Sequence, residues 1–451
     1  MFDLIVIGGG PAGYYAAEKA GSAGFNTFLA EKSHLGGVCL NEGCIPSKTL
    51  LYSSKLFSTA SHSEQFGITA SDVSFDLSKV MARKRKIIEM MRNGISSTLK
   101  KNNVTVEKGE AFVLKENNGS FDIQVNGNTV SGKRLLLCTG SAPVKLPVHG
   151  IDQPFVFTNK EILSIDYIPE SLVVIGAGAI GLEMAVFFAE AGSKVTVIEM
   201  LPRIGGSMDN ETGLILKREL EKTGISFLLE TRVLEIGEHS VTFFGNGTNG
   251  TIGADIVLLS VGRKPVTQGL GIENLGVKIT GSAVETDSGG RTSVSGVWAA
   301  GDINGKSMLA HTAYREAQVC IDSMLGIGSF VNYNAIPGVI YTHPEAAGVG
   351  LTQSEAEARG IAVLCAKLPM SYNGRYLAEN EGGRGICKVV ADKQTQKILG
   401  VHLIGAACSE MIYGAAAMIE KNMTVKDICP IVFPHPSVSE IIKDTIMKLP
   451  V

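Results

Sequence analysis

The sequence predicts an α/β protein with two Rossmann-like folds followed by a C-terminal α+β region. Two features predict this architecture: a glycine-rich strand–helix motif that occurs twice, and a region from about residue 336 where strands and helices mix without that motif. The length of 451 residues agrees with several domains, since one domain usually takes about 150 residues.

The repeated motif is a short apolar strand, then G-x-G-x-x-G, then an alanine-rich helix. Its glycines are Gly8, Gly10 and Gly13 in the first copy and Gly176, Gly178 and Gly181 in the second. A second strand follows each helix and ends in an acidic residue, Glu31 or Glu199, at the same distance from the first glycine in both copies. This combination is far more specific than a lone glycine motif.

Each position of the motif has a physical reason. The first glycine makes the tight turn, the second lets the backbone approach a pyrophosphate, and the third lets the helix pack closely on the strand. The helix N-terminus offers free N–H groups to the phosphates. The acid accepts hydrogen bonds from an adenosine ribose and repels a 2′-phosphate, so Glu199 predicts a preference for NAD over NADP. Two dinucleotide-binding domains are therefore expected.

Composition and charge exclude other classes of protein. Hydrophobic residues make up 45% of the chain and the net charge is -3, which argues against a largely disordered chain and gives no electrostatic reason to expect nucleic acid as a partner. The basic run 83–86 lies on a predicted helix of about 76–102. We interpret this run as a solvated helix face.

Several features predict a cytoplasmic protein that does not cross a membrane. The longest apolar stretches, around 172–189 and 411–419, are interrupted by polar residues or glycine, so no membrane span is expected. The chain enters its first strand without a visible basic and apolar leader. Its eight cysteines are too sparse for a secreted disulfide scaffold.

Cys39 and Cys44 form the one close cysteine pair, within the segment Gly-Gly-Val-Cys-Leu-Asn-Glu-Gly-Cys-Ile-Pro-Ser-Lys at 36–48. In a cytosolic protein such a pair suggests redox catalysis. A zinc site is the first alternative, but it usually needs a second ligand pair and none is visible, so no metal is predicted. A structural pair of thiols is the second alternative. Two dinucleotide sites beside the pair favour redox use.

These segments together resemble the pyridine nucleotide–disulfide oxidoreductases, a family of FAD-dependent dimers, over essentially the whole chain. The C-terminal segment His-Pro-Ser-Val-Ser-Glu at 435–440 fits a signature of the same family. The segment 36–48 is most similar to the members that oxidise dihydrolipoamide. A reductase of another small disulfide, of the glutathione or coenzyme A type, is the alternative. A non-catalytic FAD-bearing subunit of a complex is a further alternative, which the intact cysteine pair argues against.

The resemblance implies a role for each catalytic candidate. Cys44 would lie against the flavin as a thiolate, and Cys39 would exchange disulfides with the substrate. His435 would be the general base and Glu440 would orient it, both acting in the active site of the other subunit. Lys48 would approach the flavin ring and pair with Glu183 in the second fingerprint helix.

The resemblance also implies the residues that contact the two cofactors, FAD and NAD. For FAD they are Gly8, Gly10, Gly13, Glu31, Gly37, Val38, Lys48, Ala111, Gly140, Asp302 and Ala310. For NAD they are Gly176, Gly178, Gly181, Glu199, Val233 and Gly262. Among them, Gly37, Val38 and Ala111 are expected in loops.

The expected organisation is therefore two Rossmann-like dinucleotide-binding domains plus a C-terminal α+β dimerisation domain. Its segments are 1–142 for the first part of the FAD domain, 143–264 for the NAD domain, 265–335 for a return to the FAD domain and 336–451 for the interface domain. The expected partners are dihydrolipoamide or a lipoyl-bearing protein, a second copy of the chain, and a multienzyme complex of which the protein forms part of the core.

Overall fold

The computed structural model describes residues 1–117, 119–380 and 384–450. Val451, the last residue of the expected interface domain, lies outside the described residues. The chain forms two compact units. The first consists of Met1–Thr49, Ser78–Val144 and Gly262–Val331, and the second of Leu50–Leu77, Lys145–Val261 and Asn332–Val451.

The helices are described in chain order. They are α1 (Pro11–Ser22), α2 (Gly37–Glu42), α3 (Cys44–Ser61), α4 (Leu77–Lys101), α5 (Asn159–Ile162), α6 (Ala179–Glu190), α7 (Asn210–Lys222), α8 (Ala310–Met324), α9 (Gln353–Ala358), α10 (Gly374–Glu379), α11 (Cys408–Glu420), α12 (Val425–Ile428) and α13 (Glu440–Ile446). Short 3-10 turns lie between some of them.

The strands follow the same order. They are β1 (Leu4–Ile7), β2 (Thr27–Glu31), β3 (Thr105–Lys108), β4 (Ala111–Asn117), β5 (Ser120–Val125), β6 (Asn128–Gly132), β7 (Leu135–Leu137), β8 (Ser141–Pro143), β9 (Val156–Phe157), β10 (Ser171–Ile175), β11 (Lys194–Ile198), β12 (Ser226–Leu228), β13 (Arg232–Gly237), β14 (Ser240–Gly245), β15 (Thr248–Gly253), β16 (Ile256–Leu259), β17 (Arg263–Pro265), β18 (Ile279–Thr280), β19 (Ala283–Val284), β20 (Val297–Ala299), β21 (Gly338–Ile340), β22 (Glu345–Gly350), β23 (Val363–Pro369), β24 (Ile386–Asp392) and β25 (Ile398–Gly405).

The first unit is built on a parallel sheet with the strand order β20-β7-β1-β2-β3. All four residues of β1 are buried, as expected of a central parallel strand covered on both faces. Helix α1 begins at Pro11, where the missing N–H costs no hydrogen bond. Its small buried residues, such as Ala16 and Ala20, pack in one core with Ala317 of α8. The predicted strand–turn–helix unit is therefore present.

The second unit repeats this arrangement and adds an antiparallel sheet. Its parallel sheet has the order β12-β11-β10-β16-β9, and α6 is buried over most of its length between Gly181 and Phe188. The sheet β21-β22-β25-β24-β23 is antiparallel and shares a core with residues of α11 and α13. The α/β fold class with two Rossmann-like halves and a C-terminal α+β region is confirmed.

Two expectations of local structure were wrong. Gly37 and Val38 do not lie in a loop, because α2 begins at Gly37 after a left-handed Gly36. Ala111 does not lie in a loop either, since it is the first residue of β4 and is 4% exposed. The family resemblance implied a loop at Gly37 and Val38, but a short helix fits between Gly36 and Gly43. In the described part of the chain, no helix is both long and apolar enough to span a bilayer.

Candidate active site

The cysteine pair lies at the junction of two helices. Cys39 is on α2, Cys44 is the first residue of α3, and Gly43 interrupts the helical backbone between them. A disulfide bond joins the two cysteines, whose Cα atoms are 4.7 Å apart. A disulfide has no thiolate to offer a metal, and it is the form of a cysteine pair that exchanges with thiols.

Two glycines of the first fingerprint, Gly8 and Gly13, leave no room for a side chain, and the turn lies against the redox segment. A Cβ atom on Gly13 would come 1.7 Å from the Gly8 carbonyl oxygen, and one on Gly8 would come 2.2 Å from the Cys138 carbonyl oxygen. A Cβ on Gly37 would lie 2.6 Å from the Cα of Gly10. Glu31 closes the turn by accepting the Gly9 N–H at 2.6 Å. At the middle glycine a Cβ would meet only the Gly37 Cα, at 3.8 Å, so the backbone of Gly10 is open to a close ligand.

The second fingerprint has the same geometry. Gly181 packs against the first glycine of its motif, where a Cβ would lie 2.1 Å from the Gly176 carbonyl oxygen. Gly178, the middle glycine, is open, because nothing lies within 4 Å of the position of its Cβ. Glu199 accepts the Ala177 N–H and the Leu201 N–H, both at 2.8 Å. An open middle glycine lets a pyrophosphate approach the backbone, and the helix N-terminus beside it offers N–H groups to the phosphates.

A polar network surrounds Asp302, one of the expected FAD contacts. The Ser141 hydroxyl donates to Asp302 Oδ2 at 2.5 Å. Arg263 donates from Nε to the Ser141 hydroxyl at 2.8 Å and from Nη2 to the Ser141 carbonyl at 2.7 Å. Burial lowers the pKa of Arg263, while the charges of Asp302 and Glu42 act in the opposite direction. The network holds the Asp302 carboxylate in one orientation.

Sequence reasoning missed Ser141 and Arg263 as members of this network. The signal available was their position, since Ser141 follows Gly140 and Arg263 follows Gly262, both of which were expected to contact cofactors. Both glycines have positive φ, 73° and 115°, and no atom lies within 4 Å of either Cβ position. The two glycines therefore leave open space beside the polar network.

His435 and Glu440 meet as the sequence predicted. His435 Nδ1 lies 3.0 Å from Glu440 Oε1, and Glu440 Oε2 accepts the Ser437 N–H at 2.9 Å. The Ser437 N–H and His435 lower the pKa of Glu440. The imidazole is 82% exposed. An ionised carboxylate thus holds one ring nitrogen and leaves the other accessible.

Lys48 and Glu183 lie on different helices. Lys48 is in the first turns of α3, shortly after Cys44. Glu183 is buried in α6 and accepts the Tyr341 N–H at 3.2 Å. Their pairing stays a prediction.

The remaining expected cofactor contacts have different settings. Val38 is 37% exposed on α2, and Ala310 begins α8. Val233 is buried on β13, at the start of a β-bulge. Within the described residues, no group of three or more His, Cys, Asp and Glu side chains is arranged to hold a metal ion.

Two family models match nearly the whole chain. Residues 2–317 match the pyridine nucleotide-disulphide oxidoreductase model, and residues 336–446 match the dimerisation domain of the same family. The chain belongs to the pyridine nucleotide-disulphide oxidoreductase family. The match to the second model places a dimerisation domain at the C-terminal region.

This chain aligns with similar proteins of the family over almost their whole length. Dihydrolipoyl dehydrogenase 1, mitochondrial, of Arabidopsis thaliana is 39% identical over 99% of this chain and 90% of its own. The dihydrolipoyl dehydrogenase of Geobacillus stearothermophilus is 38% identical over 97% and 94%. The structure of LpdA from Mycobacterium tuberculosis covers 99% of both chains with a TM-score of 0.90 and 26% identity.

Members of this family contain FAD and use NAD, and the described residues fit both groups. The glycine turns leave no room for a side chain at Gly8, Gly13 and Gly181. The open position at Gly178 faces no protein atom within 4 Å. As in other family members, this chain is a flavoprotein disulfide oxidoreductase with a dimerisation domain.

Proposed function

We propose that the protein oxidises dihydrolipoyl groups through the Cys39–Cys44 disulfide, with NAD+ as the final electron acceptor. The disulfide itself carries the proposal, since it lies beside the first fingerprint in a chain of this family. Curated relatives named dihydrolipoyl dehydrogenase, from a plant and a bacterium, support the choice of substrate.

The first chemical step belongs to the side chains of the chain and the substrate. His435 takes a proton from one dihydrolipoyl thiol through the ring nitrogen that Glu440 does not hold, because only the thiolate is a nucleophile. The substrate thiolate attacks the sulfur of Cys39, the Cys39–Cys44 bond breaks, and Cys44 leaves as a thiolate. The products of this step are a mixed disulfide and the Cys44 thiolate.

The second step releases the product. The other substrate thiol attacks the substrate sulfur of the mixed disulfide and its proton passes to Cys39, so lipoamide leaves as a cyclic disulfide, Cys39 leaves as a thiol and His435 keeps the first proton. The enzyme pair now holds the two electrons. Bound FAD would supply the acceptor for this electron pair, and bound NAD+ would supply the final acceptor of a hydride.

The cofactor contacts remain part of the proposal. Residues of the first fingerprint, with Glu31, Gly37, Val38, Lys48, Ala111, Gly140, Asp302 and Ala310, hold FAD, and those of the second, with Glu199, Val233 and Gly262, hold NAD. Lys48, with Glu183, supports negative charge on the reduced flavin. The glycine turns described above and the fixed Asp302 carboxylate support this assignment.

The active form is a homodimer in which His435 and Glu440 of one subunit serve the disulfide of the other. The C-terminal dimerisation domain and the exposure of His435 support this arrangement. Activity is then expected to fall on dilution below the dissociation constant of the dimer. Sedimentation of the same samples shows whether activity persists in a monomer, which would contradict the shared site.

The proposal extends to the setting of the enzyme. We place it in the cytoplasm, as a lipoyl-oxidising component of a 2-oxo acid dehydrogenase or glycine-cleavage type complex. Six of the eight cysteines, all of which are described, are free thiols, which is typical of a reducing compartment. Domain limits at 142/143, 264/265 and 335/336 remain our proposal, and the unit limits at Val144, Gly262 and Asn332 support it.

The deciding experiment is an anaerobic absorbance titration of the yellow holoenzyme with dihydrolipoamide, followed by NAD+. We expect a long-wavelength absorbance band that appears with dihydrolipoamide and decays as NADH forms. The matched control is Cys44→Ser, which should produce neither signal. If dihydrolipoamide leaves the absorbance of the flavin unchanged while NADH bleaches it, the proposed substrate is contradicted.

A reductase of another small disulfide is the second candidate function. Its support is the structural similarity to the HOCl-induced flavoprotein disulfide reductase RclA of Escherichia coli, with a TM-score of 0.87 and 27% identity over 99% of both chains. The same titration separates the two functions. Reoxidation of the NADH-reduced protein by glutathione or coenzyme A disulfide, and not by lipoamide, would select this candidate.

A further inference from the structure

An arginine outside the motifs described above contacts the segment that joins Cys39 and Cys44. Arg92, on α4, donates from Nε to the Asn41 side-chain oxygen at 2.5 Å. Asn41 lies on α2, between Cys39 and Cys44 in the chain. Arg92 is half-buried, so its guanidinium is partly shielded from water.

The Asn41 side chain connects this arginine to the turn before α2. Its amide nitrogen donates to the Leu35 carbonyl at 3.1 Å and to the Gly37 carbonyl at 2.7 Å. A carboxamide can face either way, but Arg92 has only N–H donors. Arg92 therefore requires the oxygen of Asn41 to face α4, which directs the amide N–H groups at the two carbonyls.

The turn that Asn41 holds is also the turn that meets the first fingerprint. Gly36 donates its N–H to the Gly9 carbonyl at 2.8 Å, and Gly37 packs against Gly10. Both Gly36 and Gly37 have positive φ, 93° and 56°, so the turn depends on specific hydrogen bonds rather than on a common backbone conformation. One side-chain contact from α4 thus orients the turn and the helix that carries Cys39.

We propose that Arg92 is a positioning residue of the redox centre, which acts through Asn41 to hold α2 and Cys39 in place for disulfide exchange. This inference rests on the proposed role of Cys39 and Cys44 as the redox pair. Arg92 also places a permanent positive charge beside the segment on which the reduced pair must form a thiolate.

Other charged groups face the same segment and contribute to the local potential. They are Glu31, Glu42 and Lys108, whose charges act on His34 together with that of Arg92, and Arg263, on which the charge of Glu42 acts. Burial, and the positive charges of Arg92 and Lys108, lower the pKa of His34. Among these groups, Arg92 donates a hydrogen bond to the side chain of Asn41.

Three substitutions separate positioning from a general structural role. Arg92→Met removes the donor and the charge, and Arg92→Lys keeps both in part. Asn41→Asp keeps an acceptor for Arg92 but cannot donate to the Leu35 and Gly37 carbonyls. The matched control is Arg85→Met, which removes an exposed arginine from the same helix.

The first readout is amide hydrogen exchange of the segment 35–44 in the oxidised holoenzyme. We expect Arg92→Met and Asn41→Asp each to speed exchange there by about tenfold, the scale of a lost charge-assisted hydrogen bond. Arg92→Lys should restore most of the protection, and Arg85→Met should match the wild type. Unchanged exchange in Asn41→Asp, or an equal increase in Arg85→Met, would overturn the proposal.

The second readout is the pH profile of alkylation of the dithiothreitol-reduced protein by iodoacetamide. We expect Arg92→Met to move its midpoint upward by about half a pH unit, and Arg92→Lys and Arg85→Met to leave it in place. A midpoint unchanged in Arg92→Met would overturn the role of the charge. If Arg92→Met does not fold, Arg92→Lys and Asn41→Asp still decide the exchange test.

Neither readout uses dihydrolipoamide, so the two proposals fail separately. Altered exchange and alkylation in an enzyme that ignores dihydrolipoamide would leave the role of Arg92 standing and contradict the proposed substrate. If the enzyme oxidises dihydrolipoamide but exchange and alkylation are unchanged in all variants, the proposed substrate stands and the role of Arg92 is contradicted.

Discussion

Glu440 holds His435 through Nδ1 at 3.0 Å and is itself fixed by the Ser437 N–H at 2.9 Å. The carboxylate thus sets which nitrogen of the ring is free. A histidine base acts only when its free nitrogen faces the proton that it removes. The ability of His435 to act as a base therefore depends on Glu440.

We expect Glu440→Gln to lower kcat for dihydrolipoamide oxidation by about 100-fold, which is within the range of general-base effects. His435→Gln should lower it at least as far. Because Glu440 acts through His435, the double variant should be no slower than His435→Gln. Steady-state kinetics on the FAD-loaded proteins measure this, and additive losses would show that Glu440 acts independently.

Two of the three glycines of the second fingerprint, Gly178 and Gly181, should respond differently to the same substitution. Gly181→Ala would place a Cβ 2.1 Å from the Gly176 carbonyl oxygen, whereas Gly178→Ala meets no protein atom within 4 Å. We expect Gly178→Ala to fold, keep FAD and raise KM for NAD+ about tenfold, because the methyl group occupies the space of the pyrophosphate. Gly181→Ala should instead lower Tm. Thermal unfolding and NAD+ kinetics distinguish them; an unchanged KM in Gly178→Ala would contradict this NAD site.

Glu199 should determine which nicotinamide coenzyme is used. Its carboxylate is held by the Ala177 and Leu201 N–H groups, so its charge is fixed beside the second fingerprint. We expect Glu199→Gln to raise the ratio of kcat/KM for NADP+ to that for NAD+ about tenfold, since the repulsion of a 2′-phosphate is removed. Glu221→Gln, which changes an exposed carboxylate on α7, is the control. A ratio that stays constant would remove Glu199 from coenzyme selection.

The buried ion pair between Lys388 and Asp209 should make the free energy of unfolding depend on pH. Lys388 Nζ lies 3.0 Å from Asp209 Oδ2, and their side chains are 8% and 4% exposed. We expect Lys388→Met to lower the free energy of unfolding by about 3 kcal/mol, because Asp209 is left buried without its partner. Lys367→Met, which removes a 60% exposed partner of Glu211, should cost less than about 1 kcal/mol.

The pH dependence of that difference follows from two pKa shifts. Although burial opposes it, Lys388 lowers the pKa of Asp209, so its contribution is present above the ordinary aspartate pKa and lost as the pH falls through the lowered value. Despite burial, Asp209 and Glu211 raise the pKa of Lys388, so its contribution is present below the ordinary lysine pKa and lost at higher pH. Denaturant unfolding should show a constant difference from about pH 5 to 9. A difference that persists below about pH 2 would contradict this assignment.

The sequence predicted the elements that depend on neighbouring residues. Gly8 has a positive φ of 100° and Gly176 has one of 102°. Because glycine adopts such angles without strain, both turns can be predicted from the glycine pattern. The predicted helix of about 76–102 is α4, Leu77–Lys101. The loop expected at Gly37 and Val38 was wrong, because the sequence does not show that Gly36 and Gly43 bound a short helix.

The sequence by itself determined the two nucleotide folds, the cysteine pair and the family of the protein, because each depends on residues a few positions apart. Only the tertiary structure decided which distant residues hold these groups. Ser141 meets Asp302 across 161 residues and Arg92 meets Asn41 across 51. Such pairs follow from how the helices and sheets pack, and an arginine on a polar helix has no local feature that marks its partner.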